Sequence, residues 1–138
     1  MTATLAERRV SDAHAVLAAE AAARKHAGHL VILDVRQLSS VADYFVIGTA
    51  ESRRQMAAIA EHVEEALEEA GGSVWHVEGL EAAKASARRP SASGDDLAWV
   101  LMDCGSVVVH LFSPSARDLY QLERLWADAP RRTIEPSA

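Results

Sequence analysis

The apolar positions of the chain alternate between a helical and a strand period, and each change of period marks an element. Val10, Ala13, Leu17 and Ala21 recur at helical spacing behind Ser11, a good N-cap residue, and predict a helix over residues 10–27 stopped by Gly28. Two apolar runs follow, Leu30–Val35 and Tyr44–Thr49, rich in the β-branched and aromatic residues that suit strands. The polar connection between them is too short for a crossover helix, so the two strands are expected to pair antiparallel.

The clearest helix covers residues 52–70. Met56, Ile59, Val63, Leu67 and Ala70 line one side, and Glu61, Glu64, Glu65, Glu68 and Glu69 fall on the other. Gly71 and Gly72 end it, and Ser73–Val77 reads as a short strand. Residues 81–96 turn to Ala, Ser, Gly, Arg and Asp around Pro90 and are read as a mobile surface loop. Trp99–Met102 and Val107–Phe112 form a hairpin across a turn containing Gly105. Ser113 then caps a final helix with Pro114 at its first position and a stripe of Leu119, Leu122, Leu125 and Trp126. The tail, 131–138, is expected to fray. This order predicts an α/β fold: a mixed five-stranded sheet packed with amphipathic helices, in one domain with its core at about residues 10–130.

Composition narrows the function classes. The chain has 138 residues, with 14 Lys and Arg against 20 Asp and Glu, a formal net charge of −6. That balance argues against a surface that grips nucleic acid all round, so little direct nucleic-acid binding is expected. Cys104 is the single cysteine, which excludes an internal disulfide and fits a reducing compartment. No apolar run approaches the ~18 residues of a membrane span, and Asp12, His14 and Glu20 interrupt the region where a secretory signal would need its apolar core. A cytoplasmic location without membrane attachment is the expectation; an organelle transit peptide fits less well because Glu7 and Asp12 are acidic.

Several groups of residues carry candidate chemistry. Gly48-Thr49-Ala50-Glu51-Ser52, between a strand and a helix, has the form of a phosphate-binding turn of the nucleotidyltransferase kind. Two-metal phosphoryl transfer also needs clustered carboxylates, and Asp34, Asp43 and Asp103 are scattered at strand ends. Cys104, Asp103 and His110 supply the residue types of a thiol nucleophile, but strand alternation puts His110 with Val108 and Phe112 as a hydrogen-bonded structural histidine. His26, His29 and His14 have a weak metal spacing, and no metal or cofactor is expected. The acidic helix face is different. Its glutamates one turn apart repel, and Arg53 and Arg54 at one end with Glu68 and Glu69 at the other oppose the helix dipole, so local stability did not select this pattern. A long-range role toward a basic partner is consistent with it.

Four segments together resemble the ribosomal silencing factors, the Iojap-related proteins. They are Ser39-Ser40-Val41-Ala42-Asp43-Tyr44-Phe45-Val46-Ile47; Ser52-Arg53-Arg54-Gln55; the run from Trp99 to Phe112; and the run from Tyr120 to Pro130. They occur in the family's order over most of residues 11–130. The resemblance implies a fold related to nucleotidyltransferases without their catalytic site. It implies binding to large-subunit ribosomal protein fourteen and a steric block to joining of the small subunit when nutrients are scarce, with no reaction catalysed. Family members can also form homodimers. Two departures stand out: the polar segment with Lys84, Arg88 and Arg89 inserted after Glu78-Gly79, and Cys104 at a turn position often aromatic in relatives.

The docking patch expected on this basis lies on the final hairpin and its surroundings. Trp99 and Leu101 would be apolar contacts, Asp103 would pair with a basic partner, and Glu78 and Tyr120 would form the rim. Two competing functions were considered: a Mg²⁺-dependent nucleotidyltransferase-like enzyme, and an RNA-binding module using the basic insertion.

Overall fold

The computed structural model describes residues 5–87 and 97–134. Its elements in chain order are α1 (Leu5–Arg24), β1 (Gly28–Asp34), β2 (Tyr44–Thr49), α2 (Arg53–Glu69), β3 (His76–Glu78), α3 (Leu80–Ala87), β4 (Trp99–Asp103), β5 (Val107–Phe112), α4 (Pro114–Tyr120), α5 (Leu122–Leu125) and β6 (Arg131–Ile134). The expected α/β class and mixed sheet are found. The sheet has six strands rather than five, in the order β3-β4-β5-β2-β1-β6, and only the β2–β5 pair is parallel.

Strand alternation sorts the side chains onto two faces. On the first, Leu30, Ile32, Tyr44, Val46, Val100, Met102, Val107, Val109 and Leu111 pack under α1 and α2. Helix α1 contributes a bed of buried alanines, Ala15, Ala18, Ala19, Ala21, Ala22 and Ala23, and α2 contributes Met56, Ile59, Ala60, Val63 and Leu67. The α2 stripe is the one its sequence period predicts at Met56, Ile59, Val63 and Leu67; Ala60 joins it, whereas Ala70, expected there, is the exposed C-cap. On the second face, Val31, Leu33, Ile47 and Phe112 pack with Ala116 and Ala129, and Leu122 and Trp126 lie against them. Because α4 and α5 are short, this cover is partial.

Several expectations need correction. Helix α1 begins at Leu5, so Ser11, expected as its cap, is buried inside the helix, and Val10 and Ala13 of the expected apolar stripe are exposed while the alanines beside them face the sheet. Helix α1 is terminated by His26, not Gly28: His26 takes a left-handed φ of 64°, and the amides of His26 and Ala27 bond the carbonyls of Ala23 and Ala22 at 2.9 and 3.1 Å, a Schellman closure. Gly28 instead opens β1.

The segment expected as a loop over 81–96 begins as helix α3. Ala82, Ala83 and Ala85 favour a helix, Ala83 is fully buried, and Lys84 reaches Glu61 of α2 at 3.0 Å. One buried alanine is too little to create a readable period; Arg88 and Arg89 lie outside the described residues.

A further correction is the tail. Residues 131–134 form β6, pairing antiparallel with β1 from Leu33–Arg131 to Leu30–Ile134, and Asp34 N–H donates to the Pro130 carbonyl at 2.8 Å. Without β6 the outer side of β1 would be an unpaired row of backbone groups, and an edge strand bearing Arg131 and Arg132 both satisfies and blunts it. Finally, the single C-terminal helix is two. Gln121 breaks it with φ 44° and ψ 52°, and across the break Arg117 Nε donates to Glu123 Oε1 at 2.6 Å.

Candidate docking face

The half-covered second face gathers every residue expected at the patch. Register fixes this: Glu78 lies opposite Leu101, Leu101 opposite His110, Trp99 opposite Phe112 and Asp103 opposite both His76 and Val108. Side chains directly across a ladder share a face, so Glu78, Trp99, Leu101 and Asp103 form one surface. Tyr120 joins it from the end of α4, its ring centroid 5.2 Å from that of Trp99.

An aromatic network supports the surface. Trp99 contacts Phe112 at 4.9 Å and His110 at 5.8 Å, and Phe45 sits edge-on to His110 at 5.0 Å and to Trp126 at 5.1 Å. Five of the seven Phe, Trp and Tyr side chains of the protein belong to this cluster, so its aromatic content is concentrated on one face. Phe45 and Trp126 extend the cluster beyond the expected patch residues. Their signal was the period-two position of Phe45 in β2, which shares a face with Ile47 and hence with His110.

Exposure is graded across the face. Trp99 is 37% exposed, Tyr120 47% and Leu125 77%, while Leu101 and Asp103 are half-buried. Held aromatic rings with part of their surface open lose little entropy when a partner covers them.

His110 is the polar pivot of the network, as its strand position suggested. Its ring is buried, and the Trp99 indole N–H donates to its Nδ1 at 3.2 Å. That contact requires an unprotonated Nδ1, so the proton of the neutral ring is assigned to Nε2, which has no hydrogen-bond partner. Burial lowers the His110 pKa to about 4. Asp103 does two things: it presents a carboxylate on the open face, and its Oδ1 accepts the Gly105 N–H at 3.0 Å to close the hairpin turn. Glu78 is exposed beside His76, whose Nε2 lies 3.1 Å from Glu78 Oε1.

The other candidate chemistry does not come together. Asp34 is clasped by Arg36 through contacts of 2.9 and 2.6 Å, chiefly this hydrogen bonding holding its carboxyl below the usual range. Asp103 is engaged in the hairpin turn, and among the described residues no group of three His, Cys, Asp or Glu is placed to hold a metal. At the carboxyl ends of the parallel strands, where α/β sheets commonly bind ligands, a cavity of about 490 Å³ includes Thr49, Glu51, Arg117 and Glu123. There Arg117 is already held by Glu123 and by Thr49 Oγ1 at 2.8 Å.

Burial, followed by the nearby Asp103 charge, pushes the Cys104 thiol up to about 12, opposite to the depression a nucleophile needs. Lys84 of the insertion pairs with Glu61 at 3.0 Å, so its charge is partly offset.

Comparison with known proteins places the chain in a family. Residues 8–138 match the family described as ribosomal silencing factor during starvation. The chain belongs to the ribosomal silencing factor family. It is 39% identical over 119 residues to a ribosomal silencing factor of Bacillus subtilis, covering 86% of this chain and 89% of that protein. A chloroplastic Iojap protein of Arabidopsis thaliana is 34% identical over 121 residues, which are 86% of this chain but 44% of the plant protein. A crystal structure of a Chromobacterium violaceum protein superposes with a TM-score of 0.70 at 32% identity, covering 92% of this chain and 90% of the other. The family is named for a regulatory role, silencing of the ribosome, and bacterial relatives carry that name.

Proposed function

We propose that this silencing factor works by occupancy. It docks on the large ribosomal subunit through ribosomal protein fourteen, using the aromatic and acidic sheet face, and its bulk keeps the small subunit from joining. It catalyses no reaction. The observation that carries this reading is the clustering of Glu78, Trp99, Leu101, Asp103 and Tyr120 on one incompletely covered face of the sheet. Partly exposed aromatic anchors with acidic groups around them suit a basic protein partner, because the rings supply contact area and the carboxylates supply orientation. A domain of this length has a radius of gyration of ~14 Å, and a standard interface of ~1,600 Å² would hold it as a wedge at a subunit contact.

Sedimentation of purified subunits with and without the protein tests the reading. Fewer joined ribosomes are expected, with no nucleotide required. Asp103→Asn is the cleanest local probe, since the amide oxygen can still accept from Gly105 while the charge is gone; Leu101→Glu places a charge in the middle of the patch. Both folded variants should block joining less well. Normal subunit joining in the presence of saturating wild-type protein would refute the wedge.

A further inference from the structure

The structure carries a second surface, at one end of the sheet. Arg24 and Lys25 close α1, His26 makes its left-handed turn, His29 follows in β1, and Arg53 and Arg54 open α2. Gln55 binds these pieces together: its Nε2 donates to the carbonyls of Lys25 and His26 at 3.1 and 3.0 Å, while its Oε1 accepts the Glu51 N–H at 2.7 Å. The α1 turn and the start of α2 are therefore held side by side.

Arg24, Lys25 and Arg54 take part in none of the ion pairs found among the described residues, such as Arg36 with Asp34, Lys84 with Glu61 and Arg132 with Asp12. In a chain of net charge −6, four cations, Arg24, Lys25, Arg53 and Arg54, set against Glu20 and Glu51 at this edge are a local reversal of sign. Stability does not account for it, because the first turn of α2 carries two arginines and no acid, against the preference of a helix N-terminus for negative charge. The glutamates of α2 begin two turns further on, so they do not neutralise this end.

We infer that this basic edge contacts the phosphate backbone of RNA beside the docked protein. The inference rests on the large-subunit reading and adds a second, electrostatic contact to it. The sheet joins the two surfaces: Trp99 pairs with Phe112, Phe112 with Thr49 and Thr49 with Gly28, so one rung runs from the aromatic patch to the basic turn. Three strand spacings make that distance about 14 Å. A ribosomal protein flanked by RNA can meet both at once. Closely set cations of this kind recognise backbone charge rather than base sequence.

The test compares wild type with the triple variant Arg24→Gln, Lys25→Gln, Arg54→Gln, and with a charge-keeping control, Arg24→Lys, Lys25→Arg, Arg54→Lys. Binding to purified large subunits is measured from about 50 to 200 mM salt. Three phosphate contacts carry a log–log salt slope of about −2 to −3, so the affinity ratio of wild type to the glutamine variant should shrink about 20- to 40-fold across that range. The control should follow wild type. A glutamine variant with wild-type affinity and slope overturns the inference.

If the wild type fails to bind subunits at all, the docking reading falls, and an RNA duplex of about 20 base pairs decides the remaining point. Duplex binding lost in the glutamine variant supports the RNA contact. No duplex binding by wild type at low salt, with or without capture on anionic vesicles, overturns it.

Discussion

Acid should weaken this protein through His110 before it titrates the carboxylates that brace the fold. Burial holds the His110 pKa at about 4, below the ordinary value of 6.5 that it regains on unfolding. Between those two pH values the unfolded chain binds the extra proton and the folded chain does not, so stability rises with pH across this window and is lost as pH falls through it. The full separation corresponds to about 3 kcal/mol, with a steepest slope of ~1.4 kcal/mol per pH unit from this one group. A loss of that size is a large part of the ~5–15 kcal/mol that holds a typical domain folded.

Urea unfolding at a series of pH values from neutrality down to about 4.5 measures the slope directly. His110→Phe supplies the control, because it keeps a ring among Phe45, Phe112 and Trp99 but cannot titrate. The variant begins less stable, since the Trp99 indole N–H loses its acceptor; the 37% exposure of Trp99 leaves room for water to compensate in part. Its stability should then fall less steeply than that of the wild type over the same window. Equal slopes in the two proteins would show that His110 does not carry the acid sensitivity, and the buried neutral ring would be the wrong account.

Other changes test the packing around the docking face. Ser113→Ala removes an oxygen that accepts from Ala116 at 3.3 Å as the α4 cap and from Ala98 at 3.0 Å, and should cost ~2 kcal/mol in urea unfolding; a loss under about 0.5 kcal/mol would contradict the double role. Gly79→Ala should destabilise by ~2 kcal/mol or more and change Trp99 fluorescence, because Gly79 has a φ of +86° and an added Cβ would lie 2.2 Å from the Trp99 carbonyl oxygen. Arg117→Leu should cost ~1–3 kcal/mol by leaving Glu123 and Thr49 without their shared donor, and unchanged stability would demote that contact. Cys104 should alkylate on the order of 10³-fold more slowly than an ordinary thiol at neutral pH, following its rise from 9.0 to about 12; labelling at the rate of a free cysteine would argue against its burial.

The parts of the fold that were readable are those where one apolar period runs long enough to be unambiguous. Helix α2 shows Met56, Ile59, Val63 and Leu67 on one side over about three turns, and its ends carry a serine cap and a glycine closure. In the β4–β5 hairpin, counting by twos puts Trp99, Leu101 and Asp103 in one row, but the strands are almost continuously apolar, and which side the row faces is set by the packing of Val100 and Met102 under the helices. What failed lacked such a period. Strand β6 exists because β1 needs a partner on its outer side, a demand written in the backbone and not in the side chains of Arg131, Arg132 and Thr133. Helix α3 is held by buried Ala83, by half-buried Leu80 and by one lysine contact with α2. The break at Gln121 is likewise tertiary: a non-glycine residue in the left-handed region is not announced by its identity.

The candidate site divides along the same line. Glu78, Leu101 and Asp103 could be placed on one face by counting, given the register. That Tyr120 lies against Trp99 depends on where α4 ends, and α4 ends where Gln121 turns the chain away. The turn also explains why the face is open. One continuous helix over residues 113–126 would be about 20 Å long, enough to run across several strands and carry its leucines over them. Split at Gln121, the segment instead places Leu122 and Trp126 on the β1–β2 side, leaving Leu101, Asp103 and part of Trp99 to solvent. A protein that only needed a stable core would gain by closing that gap. The aromatic support beneath it, with His110 locked by Trp99, makes the gap a rigid surface rather than a packing fault, which is the physical reason to look for a partner there.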